Sequence, residues 1–193
     1  MFVIGVGGTT RPRSTSEVAV RTALDAAADS GAEVRMFGAA ELMLPLYDPA
    51  GGNMTPEAEE FVAASRQADG VIIGSPGYHG TVSGLVKNAL DYTEEMVSDD
   101  RVYYSGLPIG CIGVAYGWQA AVNTLRTLRD IAHSLRGWPT PYGAAINAAS
   151  GAIADGRCSD PATTESLQRI GGQVVEFARM RELARSVEAT AQR

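Results

Sequence analysis

Hydroxyl and guanidinium donors crowd the turn Gly5 to Ser16 (GVGGTTRPRSTS), ahead of a helical pattern. Thr9, Ser14, Thr15 and Ser16 offer hydroxyls, Arg11 offers a charged donor, and a helix N-terminus adds oriented N–H groups. Together they suit a phosphate monoester. The helix dipole contributes only about 0.3–1 kcal/mol at an exposed site, so the hydroxyls and Arg11 must supply much of the hold. The plainer use of the same residues is an N-cap, with one of Ser14, Thr15 or Ser16 capping the helix.

A second stretch, Gly74 to Asp91 (GSPGYHGTVSGLVKNALD), joins the apolar run Val71-Ile72-Ile73 to another helix. Gly74, Gly77, Gly80 and Gly84 let the backbone approach a bound group, and Pro76 stiffens the turn. Leu85, Val86, Ala89, Leu90 and Tyr92 then recur at helical spacing. Any strand-to-helix junction of a parallel α/β protein uses the same glycines and proline, so this loop too has a purely structural reading.

Two phosphate motifs are excluded. A G-x-G-x-x-G fingerprint starting at Gly5 meets Thr10 at its sixth position, and the second strand ends in Met36-Phe37 without a ribose-binding acid. The Gly-Lys-Ser/Thr triplet of a P-loop occurs nowhere in the chain.

Short apolar runs alternate with longer helical patterns throughout, which predicts a parallel sheet with helices on both faces. Strands are expected at Phe2–Val6, Ala32–Phe37, Gly70–Gly74, Ile109–Val114 and Gly143–Asn147. Helices are expected near Thr15–Ser30, Pro56–Ala68, Gly84–Val97 and Ala120–Leu135, with a last one from Ala162 into the tail. The expected fold is a three-layer, flavodoxin-like α/β domain spanning residues 1–193, its five-stranded parallel sheet ordered 2-1-3-4-5. The tail beyond Arg181 is polar, and either fraying or packing against a second subunit is consistent with it.

The 193 residues suffice for one domain with a sizeable core. A net charge of −6, with no basic stripe, argues against nucleic acid and against a polybasic membrane anchor. Two cysteines and two histidines make a metal site improbable. Cys111 sits in an apolar run as a small buried hydrophobe rather than a reactive thiol; the role of Cys158 stays open. No signal peptide and no run of about 20 apolar residues is visible, so a cytoplasmic protein is expected.

The string from Gly74 to Asp91, with its Leu-Val-Lys-Asn-Ala-Leu-Asp run, resembles the loop-helix signature of the NADPH-dependent FMN reductase family. The first loop resembles that family's GSxR phosphate loop, with Thr9 in place of Ser and Arg11 matching Arg. Leu44-Pro45-Leu46-Tyr47-Asp48, Ala115-Tyr116-Gly117-Trp118-Gln119, Ile146-Asn147 and the Asp155-to-Pro161 segment extend the likeness along nearly the whole chain. The resemblance implies FMN, with its phosphate at Thr9, Arg11, Ser14, Thr15 and Ser16. Its ring would lie among Pro76, Gly77, Tyr78, His79, Gly80 and Thr81 on one side and Ala115, Gly117 and Trp118 on the other.

It further implies hydride transfer from NADPH or NADH to the flavin N5, with no catalytic acid or base from the protein. Reduced FMN would supply a partner monooxygenase, or stay bound and reduce a quinone or azo acceptor. A flavodoxin-like electron carrier is the alternative, and a homodimer or homotetramer is implied. Besides Thr9, three positions depart from the family pattern: Gly77 replaces Glu, His79 replaces Asn, and Trp118 replaces the second of two glycines. His79 is a candidate base or a simple hydrogen-bonding group. Trp118 either stacks near the ring, restricts the nicotinamide space or packs at its helix start.

Overall fold

A computed structural model describes residues 1–191. The helices start where their caps stand. Ser14, Thr55 and Ser83 each accept a backbone N–H from the first turn of α1 (Thr15–Asp29), α2 (Pro56–Gln67) and α3 (Gly84–Asp91). Asp160 does the same for Thr163 at the head of α5 (Pro161–Ala191). α4 (Trp118–Ser134) begins instead at Gly117, whose φ of 95° only glycine adopts without strain. The helix expected at Gly84–Val97 tightens after Asp91 into a 3₁₀ segment, Tyr92–Met96.

Strand β1 (Phe2–Gly7) pairs in parallel with β2 (Glu33–Phe37) and with β3 (Gly70–Tyr78), and β3 with β5 (Pro108–Ala115). The next position is shared by two short strands, β6 (Trp138–Pro139) and β7 (Ala144–Asn147), both parallel to β5. The parallel order is therefore the expected 2-1-3-4-5, but the sheet has seven strands rather than five. One extra strand is β4 (Thr81–Val82), antiparallel to the end of β3. The other arises because Pro139 and Pro141 bring no N–H to the ladder, which breaks the edge strand in two. Arg129 donates to the carbonyls of Thr140 and Pro141 at 3.0 Å each, satisfying acceptors that the break leaves over.

Alternating residues of each strand face opposite layers. Ile4, Val6, Val71, Ile73, Ile109 and Cys111 pack with α2, α3 and the inner side of α4. Val3, Ile72, Ile112, Val114, Ala144 and Ile146 pack under α1 and α5. Burial pushes the Cys111 thiol up to about 12, which agrees with an inert core residue. Among the described residues no helix is long and apolar enough to cross a membrane, and no cluster of metal-ligating side chains occurs.

Candidate functional site

The strand register lines up the loops. Gly7 is level with Gly74, Pro76 with Val114, and Ala115 with Asn147. The turn after β1, the end of β3 and the turn after β5 therefore stand side by side at the carboxyl edge of the sheet. The chain winds outward in opposite directions from β1 and β3, so the row includes the topological switch point where open α/β sheets hold ligands.

In the first turn, Thr9 Oγ1 accepts the Arg11 N–H at 3.1 Å and donates to its carbonyl at 3.3 Å, so Thr9 shapes the loop that presents the exposed Arg11. Ser14 is buried, caps α1 and shares a 3.4 Å contact with the buried Ser16 hydroxyl. The N-cap reading thus holds for Ser14. The next two residues differ: among the described residues, the N–H groups of Thr15 and Ser16 meet no protein acceptor. A helix start leaves such donors over, and a cluster of them is suited to an anion. Glu17 braces it from below, accepting the Arg13 N–H on one carboxylate oxygen and Arg21 Nε and Nη2 on the other. Its buried charge is thereby paired.

The second loop is a hairpin. Tyr78 pairs with Thr81, and the two residues between them, His79 and Gly80, have φ of 50° and 93°. Two positive φ values define the tight turn favoured between twisted strands. Histidine shares with asparagine an enrichment in this left-handed region, so either residue suits the turn at position 79. We expect His79→Asn to preserve the turn and His79→Val to destabilise it by about 1–3 kcal/mol. Amide exchange at Tyr78 and Thr81 reads the difference.

Gly77 is confined for another reason. A Cβ there would lie 2.3 Å from Thr124 Oγ1 and 3.2 Å from the Ala115 Cβ, so the family's glutamate does not fit beside this α4. Gly77→Ala should lower stability by about 1–3 kcal/mol, and adding Thr124→Ala should recover most of it in thermal unfolding. The missing side chains of Gly80 and Gly117 instead face open space, which leaves bare backbone at the site.

Pro76 and Ala115 are buried beneath the row, while Tyr78, His79, Gly80 and Thr81 are exposed at its surface. Trp118 stands at the start of α4. Its indole is 61% exposed and lines a cavity of about 280 Å³ with β7 and the first turns of α5. Three positioning residues were not picked out from the sequence. Asn147 Oδ1 accepts the Gly117 N–H at 2.8 Å, tying the third loop to β7. Ser75 Oγ accepts the Ser83 N–H at 2.9 Å, closing the hairpin onto α3. Asn88 of the Leu-Val-Lys-Asn run bonds the Tyr47 N–H and the Pro45 carbonyl, holding Leu44–Asp48 against the same helix. All three lie in segments that carry the family resemblance, but their partners could not be read from those segments.

The oriented donors and open glycines fit a flat ring carrying a phosphate tail. Residues 1–151 match the family model for NADPH-dependent FMN reductase. An iron-sulfur flavoprotein of Methanocaldococcus jannaschii is 36% identical over 101 residues, 47% of this chain and 51% of that one. The FMN-dependent NADPH-azoreductase of Staphylococcus saprophyticus is 33% identical over 114 residues, 56% and 57% of the two chains. The chain thus spans about half the length of the curated relatives it matches. Among solved structures, the flavoenzyme NAD(P)H:(acceptor) oxidoreductase FerB of Paracoccus denitrificans superposes with a TM-score of 0.72 at 19% identity, covering 93% of this chain and 97% of that one. An archaeal flavodoxin gives 0.59 at 8% identity, covering 93% and 99%. These structures establish the flavodoxin-like fold.

Proposed function

Since the chain belongs to the NADPH-dependent FMN reductase family, we propose that residues 1–193 act as one FMN-binding domain that oxidises NAD(P)H. The observation that carries this is the row of three loops at the switch point, with unpaired N–H groups of Thr15 and Ser16 at one end and bare backbone at Gly80 and Gly117 toward the other. Thr9, Arg11, Ser14, Thr15 and Ser16 hold the phosphate; Pro76 to Thr81 and Ala115 to Gly117 flank the ring. When bound, FMN supplies the hydride-accepting centre. The protein orients donor and acceptor, and no side chain is needed to move a proton.

Tyr78 and Tyr116 are 52% and 84% exposed at the ends of neighbouring strands. Two exposed aromatic rings beside the flavin loops suit stacking by a nicotinamide, which favours a reductase over an electron carrier. The two cysteines of this chain, Cys111 buried and Cys158 half-buried, are too few to hold an iron-sulfur cluster of the kind named for the archaeal relative. On this reading the enzyme works in the cytoplasm as a homodimer or homotetramer. Met180, Leu183 and Val187, spaced three and four apart on the last turns of α5, are each more than half exposed and offer an apolar stripe for self-association.

Anaerobic oxidation of NADPH and NADH, with and without added FMN, tests the reading. Flavin-dependent turnover supports it, and tight FMN binding without turnover would instead make the chain a carrier. A rate that tracks free FMN points to released flavin for a partner monooxygenase. A rate set by bound FMN and an added quinone or azo compound points to direct reduction.

A further inference from the structure

Arg13 belongs to the candidate phosphate loop, yet its side chain leaves the row of loops. Its φ of 57° is in the left-handed region, costly for an arginine, and its N–H is held at 3.0 Å by Glu17 Oε2. The guanidinium lies over Gly156: a Cβ at that residue would approach Arg13 Nε to 2.6 Å and Cζ and Nη2 to 2.9 Å. Gly156 and Asp155, with φ of 71° and 50°, form the two-residue turn of a separate hairpin, β8 (Ile153–Ala154) and β9 (Arg157–Cys158). That turn places Arg157 next to Gly156. The phosphate loop and this hairpin thus bring two guanidiniums to one place.

The place is a cavity of about 540 Å³ lined by Arg13, Arg21 and Arg157, with the hydroxyl-bearing Thr22 and Thr164. Two acids, Glu17 and Asp25, share the lining. Glu17 is engaged by Arg21, whereas Arg13 and Arg157 make no ion pair or side-chain hydrogen bond among the described residues. Asp25 also has no partner among the described residues, so three arginines against two acids leave the lining one net positive charge, and the two exposed, unpaired guanidiniums beside hydroxyls can take up an anion. Arg11 does not line the cavity, so this site is separate from the one assigned to the FMN phosphate.

We propose that this cavity receives the adenosine 2′-phosphate of NADPH, with Arg13 and Arg157 as its clamps, and so makes NADPH the preferred donor. The proposal rests on the reductase reading. That phosphate monoester is the only group by which NADPH differs from NADH, whereas the pyrophosphate is common to both. A dianion also matches two planar donor forks better than either singly charged pyrophosphate group does.

The test uses the full chain loaded with FMN. Calorimetric titration compares 2′,5′-ADP with 5′-AMP, and steady-state kinetics compares the two donors, in the wild type and in the Arg13→Ala/Arg157→Ala variant. The wild type should bind 2′,5′-ADP at least tenfold more tightly than 5′-AMP, and the variant should lose that margin. The NADPH-to-NADH ratio of kcat/KM should fall 10- to 100-fold. Arg157→Ala alone, which lies outside the loop of α1, should give part of the fall with FMN affinity intact. An equal loss for both donors would assign the arginines to the pyrophosphate and overturn the proposal. So would equal binding of the two nucleotides by the wild type. If neither donor is oxidised while 2′,5′-ADP still binds through the arginines, the reductase reading falls and the phosphate site stands.

Discussion

Gly171→Ala should destabilise the protein by about 2–3 kcal/mol, at the costly end of overpacking, while Gly172→Ala, one residue on, should stabilise it by about 0.5–1 kcal/mol. Both glycines lie inside α5, where helix propensity alone favours alanine at either. Their surroundings set the sign. A Cβ at Gly171 would sit 2.1 Å from the carbonyl oxygen of Ala23 and 3.1 Å from the N of Ala27, both backbone atoms of α1. Backbone cannot rotate away, so α1 and α5 would have to separate, loosening the layer built on Val20, Ala23, Ala27, Val174 and Val175. A Cβ at Gly172 meets no atom within 4 Å. Urea unfolding followed by circular dichroism gives both values. Two changes of the same sign would mean that α1 and α5 do not approach this closely.

Arg11→Ala should raise the Kd for FMN about 10- to 100-fold, the worth of a hydrogen bond to a charged group, and leave riboflavin within about twofold. Riboflavin has no phosphate, so the comparison removes every effect on the ring. The remaining cradle, made of the free N–H groups of Thr15 and Ser16 and the dipole of α1, keeps part of the phosphate affinity. Thr9→Ala should act in the same direction more weakly, because Thr9 Oγ1 fixes the backbone of Arg11 on both its N–H and carbonyl sides. Fluorescence quenching of each flavin on titration with protein measures the constants. Equal weakening of FMN and riboflavin would remove Arg11 from the phosphate.

The sheet order, the two covered faces and the glycine- and hydroxyl-rich turn between β1 and α1 were all legible in the sequence, because each follows from a local pattern of apolar runs, glycines and hydroxyls. The missing parts depend on partners distant in the chain. Composition makes Gly77-Tyr78-His79-Gly80-Thr81 a loop, yet pairing of Tyr78 with Thr81 makes it a hairpin and extends β3 four residues past Gly74. Asn147 acts 30 residues from Gly117, and Asn88 acts 41 from Tyr47, separations that periodicity does not record. Trp118 was read through the family's paired glycines, whereas its place beside β7 follows from the positive φ of Gly117 at the start of α4. Arg13 escaped notice because nothing local announces that a hairpin more than 140 residues later will meet it.

The break between β6 and β7 bears on how the molecule behaves in a crowded solution. An uninterrupted outer strand offers a ladder of free N–H and C=O groups on which another chain can template itself. Here Pro139 and Pro141 withhold donors, and Arg129 occupies the carbonyls of Thr140 and Pro141. At the opposite border, β2 carries Glu33 and Arg35, the latter tied to Glu60 at 2.6 Å. Neither border presents a long, uncharged stretch for strand addition, so the fold guards itself against growing into fibres at both ends of its sheet.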